Sequence, residues 1–253
     1  MKSYINLHNQ TGRFALLPVA LIAAVLTLAA GSTARADDKD KVNVLPPHGH
    51  AYGKTYDEWG AAWWQWALSI PADHNPLLDT TGADAAQGQS GPVWFLAGSF
   101  VGPAERTATV PAGKALFFPI INNSWISTEP TDPQDAAGIR AIIDPPADAE
   151  TDLACQIDCV TVKRLKSYRT ESPLFDVTLP DNNVFGIPVG TYGPSMDAGY
   201  YLLVAPLSPG HHEIHFHGTL PYDIPPYWFA FTQDITYHLT VTEDRHSNDC
   251  DRD

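Results

Sequence analysis

The stretches HHEIHFHG (residues 211–218) and DITYHLTV (residues 234–241) decide the fold, because both alternate polar and apolar residues. Side chains on a β-strand point alternately to opposite faces, so Ile214 and Phe216 mark a core face opposite most of the histidines. The apolar residues of the second stretch alternate in the same way. The pattern predicts two half-buried strands that lie in one sheet.

Short stretches of the same kind recur along the chain between turns rich in Pro and Gly. Many short strands with frequent turns favour a mainly β protein over alternating βαβ units. We therefore predict an antiparallel β-sandwich, Ig-like or jelly-roll-like, in a single domain over residues 52–242. The predicted strands are Pro92–Ala97, Ala115–Ile121, Cys159–Leu165, Leu174–Leu179, Gly199–Val204, His212–Gly218 and Asp234–Thr242.

One helix is predicted near the N-terminal end of the domain. Thr55 is followed three residues later by Glu58, which makes a capping box, and Pro71 stops the pattern. Helical spacing predicts an amphipathic, tryptophan-rich helix from Thr55 to about Ser69, with one face formed by Trp59, Trp63, Trp66 and Ile70. Such a face packs on a sheet more often than it binds sugar rings, so we expect it in the core.

The first 36 residues have the features of a signal peptide. An uncharged run extends from Phe14 to Gly31, and Ala34-Arg35-Ala36 matches a signal-peptidase site. A retained membrane anchor is the alternative, because 18 uncharged residues reach the short limit for a membrane span. We predict cleavage after this segment, which leaves a protein without a membrane span in the periplasm or outside the cell.

Three further segments lack the periodicity of a helix or strand. Residues 37–51 are charged and Pro-rich, which predicts a flexible leader. The Asp- and Ala-rich stretch 131–153 predicts a surface excursion with at most one short helix. Residues 243–253 are polar and predict a flexible C-terminal tail.

The charge balance excludes one class of partner. The chain has 15 Lys and Arg against 29 Asp and Glu, and its formal net charge is −14. Phosphate binding needs clustered positive charge, so we expect no nucleic-acid partner.

The three cysteines fit an oxidising compartment. Cys155 and Cys159 lie four residues apart, and Cys250 lies near the end of the chain. Either the first two form a disulfide, or one of them holds the tail through Cys250, and the sequence leaves both pairings open.

Four motifs carry a resemblance to a known group of proteins. They are YGKTYDEWGAAWWQWALSIP (52–71), GQSGPVWFLAG (88–98), VPAGKALFFPIINNSW (110–125) and LSPGHHEIHFHG (207–218). Over most of residues 52–242 the chain resembles a family of secreted bacterial proteins without an assigned function. The resemblance implies cysteines near Ala86 and Ala108, where this chain has alanine, so a family disulfide is missing here. It implies no catalytic residue.

Histidines on the polar face of the two strands are candidate metal ligands. Two imidazoles at i and i+2 on one strand and a third from its neighbour can bind one zinc or copper ion. Glu213 or Asp234 would orient an imidazole through its second nitrogen. The alternative is a set of solvent-facing histidines without a ligand. The candidate ligands are His211, His215, His217 and His238.

Aromatic residues outside the tryptophan face are candidate ligand contacts. Trp64 points away from that face, and Pro225 and Pro226 are expected to hold the loop YDIPPYWFAF (222–231) out of the sheet. We therefore expect Trp64, Tyr227 and Trp228 to be exposed and to contact a glycan or an envelope component.

Motifs of common enzymes are missing from the sequence. It contains no GxSxG, no P-loop, no dinucleotide-binding glycine pattern and no HExxH. We therefore expect a secreted or periplasmic binding or structural protein of the bacterial envelope or exterior, and we assign no catalysis. The alternative is a metal-binding protein, including a metal-dependent enzyme, that uses the histidine face.

Overall fold

The computed structural model describes residues 42–47, 49–224 and 227–243, without the side chains of residues 223, 224, 227 and 228. The described residues form one compact unit. Their helices are α1 (Tyr56–Leu68) and α2 (Ala136–Asp148). Their strands are β1 (Val93–Phe95), β2 (Ala104–Val110), β3 (Ala115–Ile126), β4 (Thr151–Ile157), β5 (Val160–Thr161), β6 (Arg169–Glu171), β7 (Phe175–Leu179), β8 (Gly190–Val204), β9 (Gly210–Ile224) and β10 (Tyr227–Val241).

Several predictions fall wholly or partly outside these ranges. The signal peptide (1–36), residues 37–41 and 48 of the leader, nearly all of the tail (243–253) and Cys250 lie outside the described residues. Among the residues that are described, no helix is both long enough and apolar enough to cross a membrane.

The strands form two sheets of five, which confirms the mainly β class. The first has the order β1-β3-β8-β6, with β7 also paired to β8, and the second has the order β2-β10-β9-β4-β5. Two pairs, β1 with β3 and β2 with β10, are parallel rather than antiparallel as expected. The reason is that the chain moves between sheets from β1 to β2 to β3, so these neighbours are not joined by hairpins.

The first sheet has a core on each face. On one face its residues pack with those of the second sheet, and the rings of Phe118 and Phe216 stack 5.0 Å apart between the sheets. On the other face Phe117 and Tyr201 pack with the residues of α1. Helix, first sheet and second sheet therefore form three successive layers.

The tryptophan face of α1 is buried, as expected. Trp59, Trp63 and Trp66 belong to the core between α1 and the first sheet. Each indole N–H also donates a hydrogen bond to a backbone carbonyl outside the helix, at 2.9 to 3.0 Å. The indoles therefore hold the helix through both burial and hydrogen bonding.

Two predicted elements differ from the structure. The predicted strand Cys159–Leu165 is found only at Val160–Thr161, which form β5. The backbone turns at Asp158 and Cys159, which have positive φ values of 50° and 64°. The preceding residues instead form β4, which pairs with β9. In the stretch expected as a surface excursion, α2 is followed directly by this strand.

The loop 222–231 was also predicted wrongly. Its described residues continue β9 as far as Ile224 and β10 from Tyr227, and Tyr222 pairs with Phe229. Only Ile235–Val241 of β10 pairs with β2, and β4 pairs with β9 no further than Thr219. Residues 220–224 and 227–234 therefore form a two-stranded extension, called here the hairpin arm.

Candidate functional site

The histidine face has the side-chain alternation that the sequence predicted. Ile214 and Phe216 are buried, whereas His215 and His217 on the same strand are partly exposed. In the register of the two strands, His217 lies opposite Asp234. The register also places His238 opposite Glu213. The polar face therefore brings imidazoles next to carboxylates.

The four candidate metal ligands share this face without converging on one point. His215 Nε2 lies 2.8 Å from Asp234 Oδ1, and His238 Nε2 lies 2.9 Å from Glu105 Oε1. His211 Nδ1 forms a hydrogen bond of 3.2 Å with the Thr240 hydroxyl on β10. Within the described ranges, no group of three or more His, Cys, Asp or Glu side chains is placed to hold a metal ion. The His215 and His238 rings are thus hydrogen-bonded to two different carboxylates, those of Asp234 and Glu105.

The disulfide between Cys155 and Cys159, one of the two pairings that the sequence left open, is not formed. The other pairing involves Cys250, which lies outside the described residues. Cys155 points into the core from β4, and burial raises its pKa to about 12. Cys159 is exposed and lies in the turn that follows the strand. Because of this turn, the Cys155 side chain lies in the core and the Cys159 side chain faces solvent. The short spacing along the chain therefore does not bring the two sulfur atoms together.

A second candidate site is an aromatic cleft of about 520 Å³ at the C-terminal end of β3. The hairpin arm contributes Tyr222, Phe229 and Phe231 to its wall. None of the described side chains that line it is charged. Its other aromatic residues are Trp64, Phe100, Trp125 and Phe185.

The three predicted ligand contacts have different outcomes. Trp64 is not exposed as expected, because only 5% of it is accessible and its ring packs edge-on against Trp63 at 5.1 Å. It nevertheless lines the cleft. The side chains of Tyr227 and Trp228 lie outside what the structure describes, although both backbones belong to β10.

A buried polar network lies behind the cleft. The Tyr201 hydroxyl donates to Asp197 Oδ2 at 2.5 Å, and Asn122 Nδ2 donates to the Tyr201 oxygen at 2.7 Å. Burial raises the pKa of Asp197 to about 7, although hydrogen bonds from Tyr201 and Ser172 partly oppose the shift. Burial and the adjacent Asp197 carboxylate raise the pKa of Tyr201 well above its ordinary value. The network connects a buried carboxyl group to Asn122 in the cleft wall.

Trp64 contacts this network only loosely. Its indole N–H is near enough to the Tyr201 hydroxyl to lower the pKa of that group slightly, but it lacks the geometry of a hydrogen bond. No acceptor among the described residues pairs with it, and the same is true of the Trp125 indole N–H. Two buried donors in the cleft wall therefore lack a protein partner in the part of the chain described.

The two asparagines of the cleft have fixed amide orientations. Asn122 must donate through Nδ2, because the Tyr201 hydroxyl uses its proton for Asp197. Asn123 Nδ2 donates to the carbonyls of Ile143 and Ala198, which can only accept. Both side-chain oxygens remain as acceptors. We did not predict these residues, although the pair NN inside the apolar run FFPIINNSW (117–125) was a visible signal.

Comparison with protein-family models, with curated proteins and with solved structures gave no match for this chain.

Proposed function

We propose that this chain is an exported binding protein of the bacterial envelope or exterior and that the aromatic cleft is its ligand site. One observation carries the proposal: large apolar side chains remain exposed around an uncharged cleft. Phe100, Phe185 and Phe229 are 40%, 44% and 53% exposed, and all three line the cleft. Exposed apolar groups that cluster in this way are typical of binding sites.

The proposed export rests on the N-terminal segment, and the proposed fold type rests on the shared core. An uncharged run followed by Ala34-Arg35-Ala36 supports a cleaved signal peptide. Side chains of both sheets in one core support a β-sandwich of Ig-like or jelly-roll-like type. N-terminal sequencing of protein exported by a bacterial host should start at Asp37, and an intact N-terminus on exported protein would contradict cleavage there.

A neutral fluorescent dye tests the binding function. N-phenyl-1-naphthylamine has aromatic rings and no charge, so it should bind the cleft and gain fluorescence. We expect Phe185→Ala and Phe229→Ala each to weaken binding at least about fivefold, because both remove apolar contact area. Val160→Ala is the matched control, since Val160 is similarly exposed but lies on β5, outside the cleft. Equal binding by all variants would contradict a site in the cleft.

Metal binding is the second candidate function. It is favoured by one observation: His215 Nε2 and His217 Nδ1 lie 2.8 and 3.9 Å from the same Asp234 Oδ1. Two imidazoles and one carboxylate form a known ligand set for first-row transition metals, once the side chains rotate to share an ion. Zinc or copper is the expected metal.

Metal content of untagged protein tests this candidate. One zinc or copper ion per chain, lost in His215→Ala and His217→Ala but kept in His74→Ala, would support it. His74 is an exposed histidine outside the histidine face. Absence of bound metal after incubation with excess zinc and with excess copper would contradict it.

A further inference from the structure

We propose that the cleft binds an extended peptide segment, which pairs with the free edge of β3 as an added strand. The inference rests on the proposed binding function and names the class of ligand. Peptides that add a strand to a sheet edge gain affinity from backbone hydrogen bonds and specificity from pockets for alternate side chains. The cleft offers both features.

The edge of β3 is unpaired along most of its length. On one side β3 pairs with β8 from Leu116 to Ile126. On the other side β1 pairs only with Ala115, Leu116 and Phe117. In the part of the chain that the structure describes, no strand continues beside residues 118–126 on that side.

The register shows which backbone groups face this edge. The Ser127 N–H donates to the Pro194 carbonyl, continuing the hydrogen bonding between β3 and β8. Bonded and non-bonded residues alternate along an antiparallel pair, so Trp125 and Asn123 also bond to β8. The Asp197 carbonyl, opposite Ser124, accepts from Ser172 on the far side of β8, which agrees with this assignment.

The alternate residues Asn122, Ser124 and Ile126 therefore turn their N–H and C=O groups to the free edge. No strand, turn or side chain among the described residues bonds to these groups. An edge of this kind is a template for one more strand. Its three N–H and three C=O groups can pair with three acceptors and three donors of an extended peptide.

The cleft lies along this edge rather than over one face of the sheet. All five consecutive residues from Asn122 to Ile126 line it. Successive side chains of a strand point to opposite faces, so a cavity above one face would contact only alternate residues. Contact with every residue places the cleft beside the strand, where an added strand would run.

The walls of the cleft indicate which kinds of side chain the bound peptide would carry. Trp64 belongs to the core on the α1 face of the first sheet, whereas Trp125 packs with the apolar cluster around α2. An added strand would thus place alternate side chains next to aromatic groups on both faces. Charge complementarity favours a peptide with uncharged side chains. No described side chain in the lining is charged, so a charge on the peptide would have no partner there.

A pair of synthetic peptides tests the inference. The probe is a capped, uncharged peptide of alternating Val and Tyr residues, eight residues long. Its twin has the same sequence but carries N-methyl groups on the alternate backbone amides that would donate hydrogen bonds to β3. We expect the purified protein to bind the probe at least about tenfold more tightly than the twin, because methylation removes the donors that an added strand needs.

Variants of β3 test the same backbone contacts from the protein. Ser124→Pro removes an N–H that faces the free edge and keeps the bonds to β8, so peptide binding should fall at least about tenfold. Ser124→Ala keeps that N–H and should lose much less affinity than Ser124→Pro. Thr109→Pro is the matched control, because Thr109 is an exposed residue of the outer strand β2. Thermal melting of each variant checks that it folds.

The outcomes separate the inference from the proposed function. Equal binding of the probe and its methylated twin would overturn the inference. Binding of N-phenyl-1-naphthylamine without binding of the probe would also overturn it, and would leave the cleft as a small-molecule site. If neither the dye nor the probe binds, the proposed function is overturned as well.

Discussion

At the scale of single residues, Asp197 lies in the most demanding environment of the network behind the cleft. It is fully buried, and one of its oxygens has no hydrogen-bond partner among the described residues. Helix α1 approaches it at Gly60, where an added Cβ would lie 3.0 Å from Asp197 Oδ1. A glycine at this position lets the helix close over the carboxyl group.

Burial of Asp197 has a defined effect on stability. Its pKa is about 7 in the folded protein, compared with 3.8 for an ordinary aspartate. Between these pH values the folded chain holds a proton that the unfolded chain has lost. The contribution of Asp197 to the free energy of unfolding is therefore most favourable below pH 4, and it is lost as the pH rises through 7.

Asp197→Asn should reduce this pH dependence, because asparagine keeps the size of the side chain and does not ionise. From pH 5 to pH 8 we expect the free energy of unfolding to fall more in the unchanged protein than in the variant. The difference should be on the order of 2 kcal/mol. Urea denaturation at both pH values measures it. Asp181→Asn, at an exposed position, serves as control, and parallel pH profiles for all three proteins would contradict the assignment.

At the scale of elements, local patterns predicted some segments and missed others. The capping box at Thr55 and the tryptophan spacing depend on neighbours along the chain, and α1 lies within one residue of the expected bounds. The hairpin arm was missed because Pro225 and Pro226 suggested that this segment leaves the sheet. Pairing between β9 and β10 overrides that local signal, since it extends on both sides of the prolines.

Trp63→Ala should show how α1 is held on the first sheet. The Trp63 side chain is fully buried, and its indole N–H donates to the Leu96 carbonyl at 3.0 Å. Truncation leaves a cavity and an unpaired carbonyl, so we expect a loss of about 3–5 kcal/mol in the free energy of unfolding. Urea denaturation measures the loss. Gln65→Ala, on the exposed side of the same helix, should cost about 1 kcal/mol or less; similar losses for both variants would contradict this account.

At the scale of the whole molecule, Arg106 joins several distant parts of the chain. It is buried on β2, and its guanidinium donates to four backbone carbonyls, those of Pro76, Asp79, Ala97 and Gly98. It also bonds to the hydroxyl of Tyr237 on β10 at 2.7 Å. One side chain thus fixes the long connection after α1 and the segment after β1 to the second sheet.

Arg106→Leu should destabilise the whole fold. The substitution removes a donor from all four carbonyls, and those of Pro76 and Gly98 are buried and have no other donor among the described residues. We therefore expect a loss of about 3–5 kcal/mol in the free energy of unfolding. Arg140→Leu is the control, because Arg140 forms an exposed ion pair with Glu171 and should cost about 1 kcal/mol or less. Calorimetry or urea denaturation distinguishes the two. An Arg106→Leu protein as stable as the Arg140→Leu protein would contradict the role given to Arg106.

The sequence by itself determined the features that depend on residues close together in the chain. The alternation in HHEIHFHG and DITYHLTV set which side chains face the core, and tryptophan spacing set the buried face of α1. Only the tertiary structure decided which strands are neighbours, where the edge of β3 stays open, and that Asn122 meets Tyr201, 79 positions away. The physical reason is that periodicity is a local property, whereas strand pairing and burial arise from contacts between distant segments.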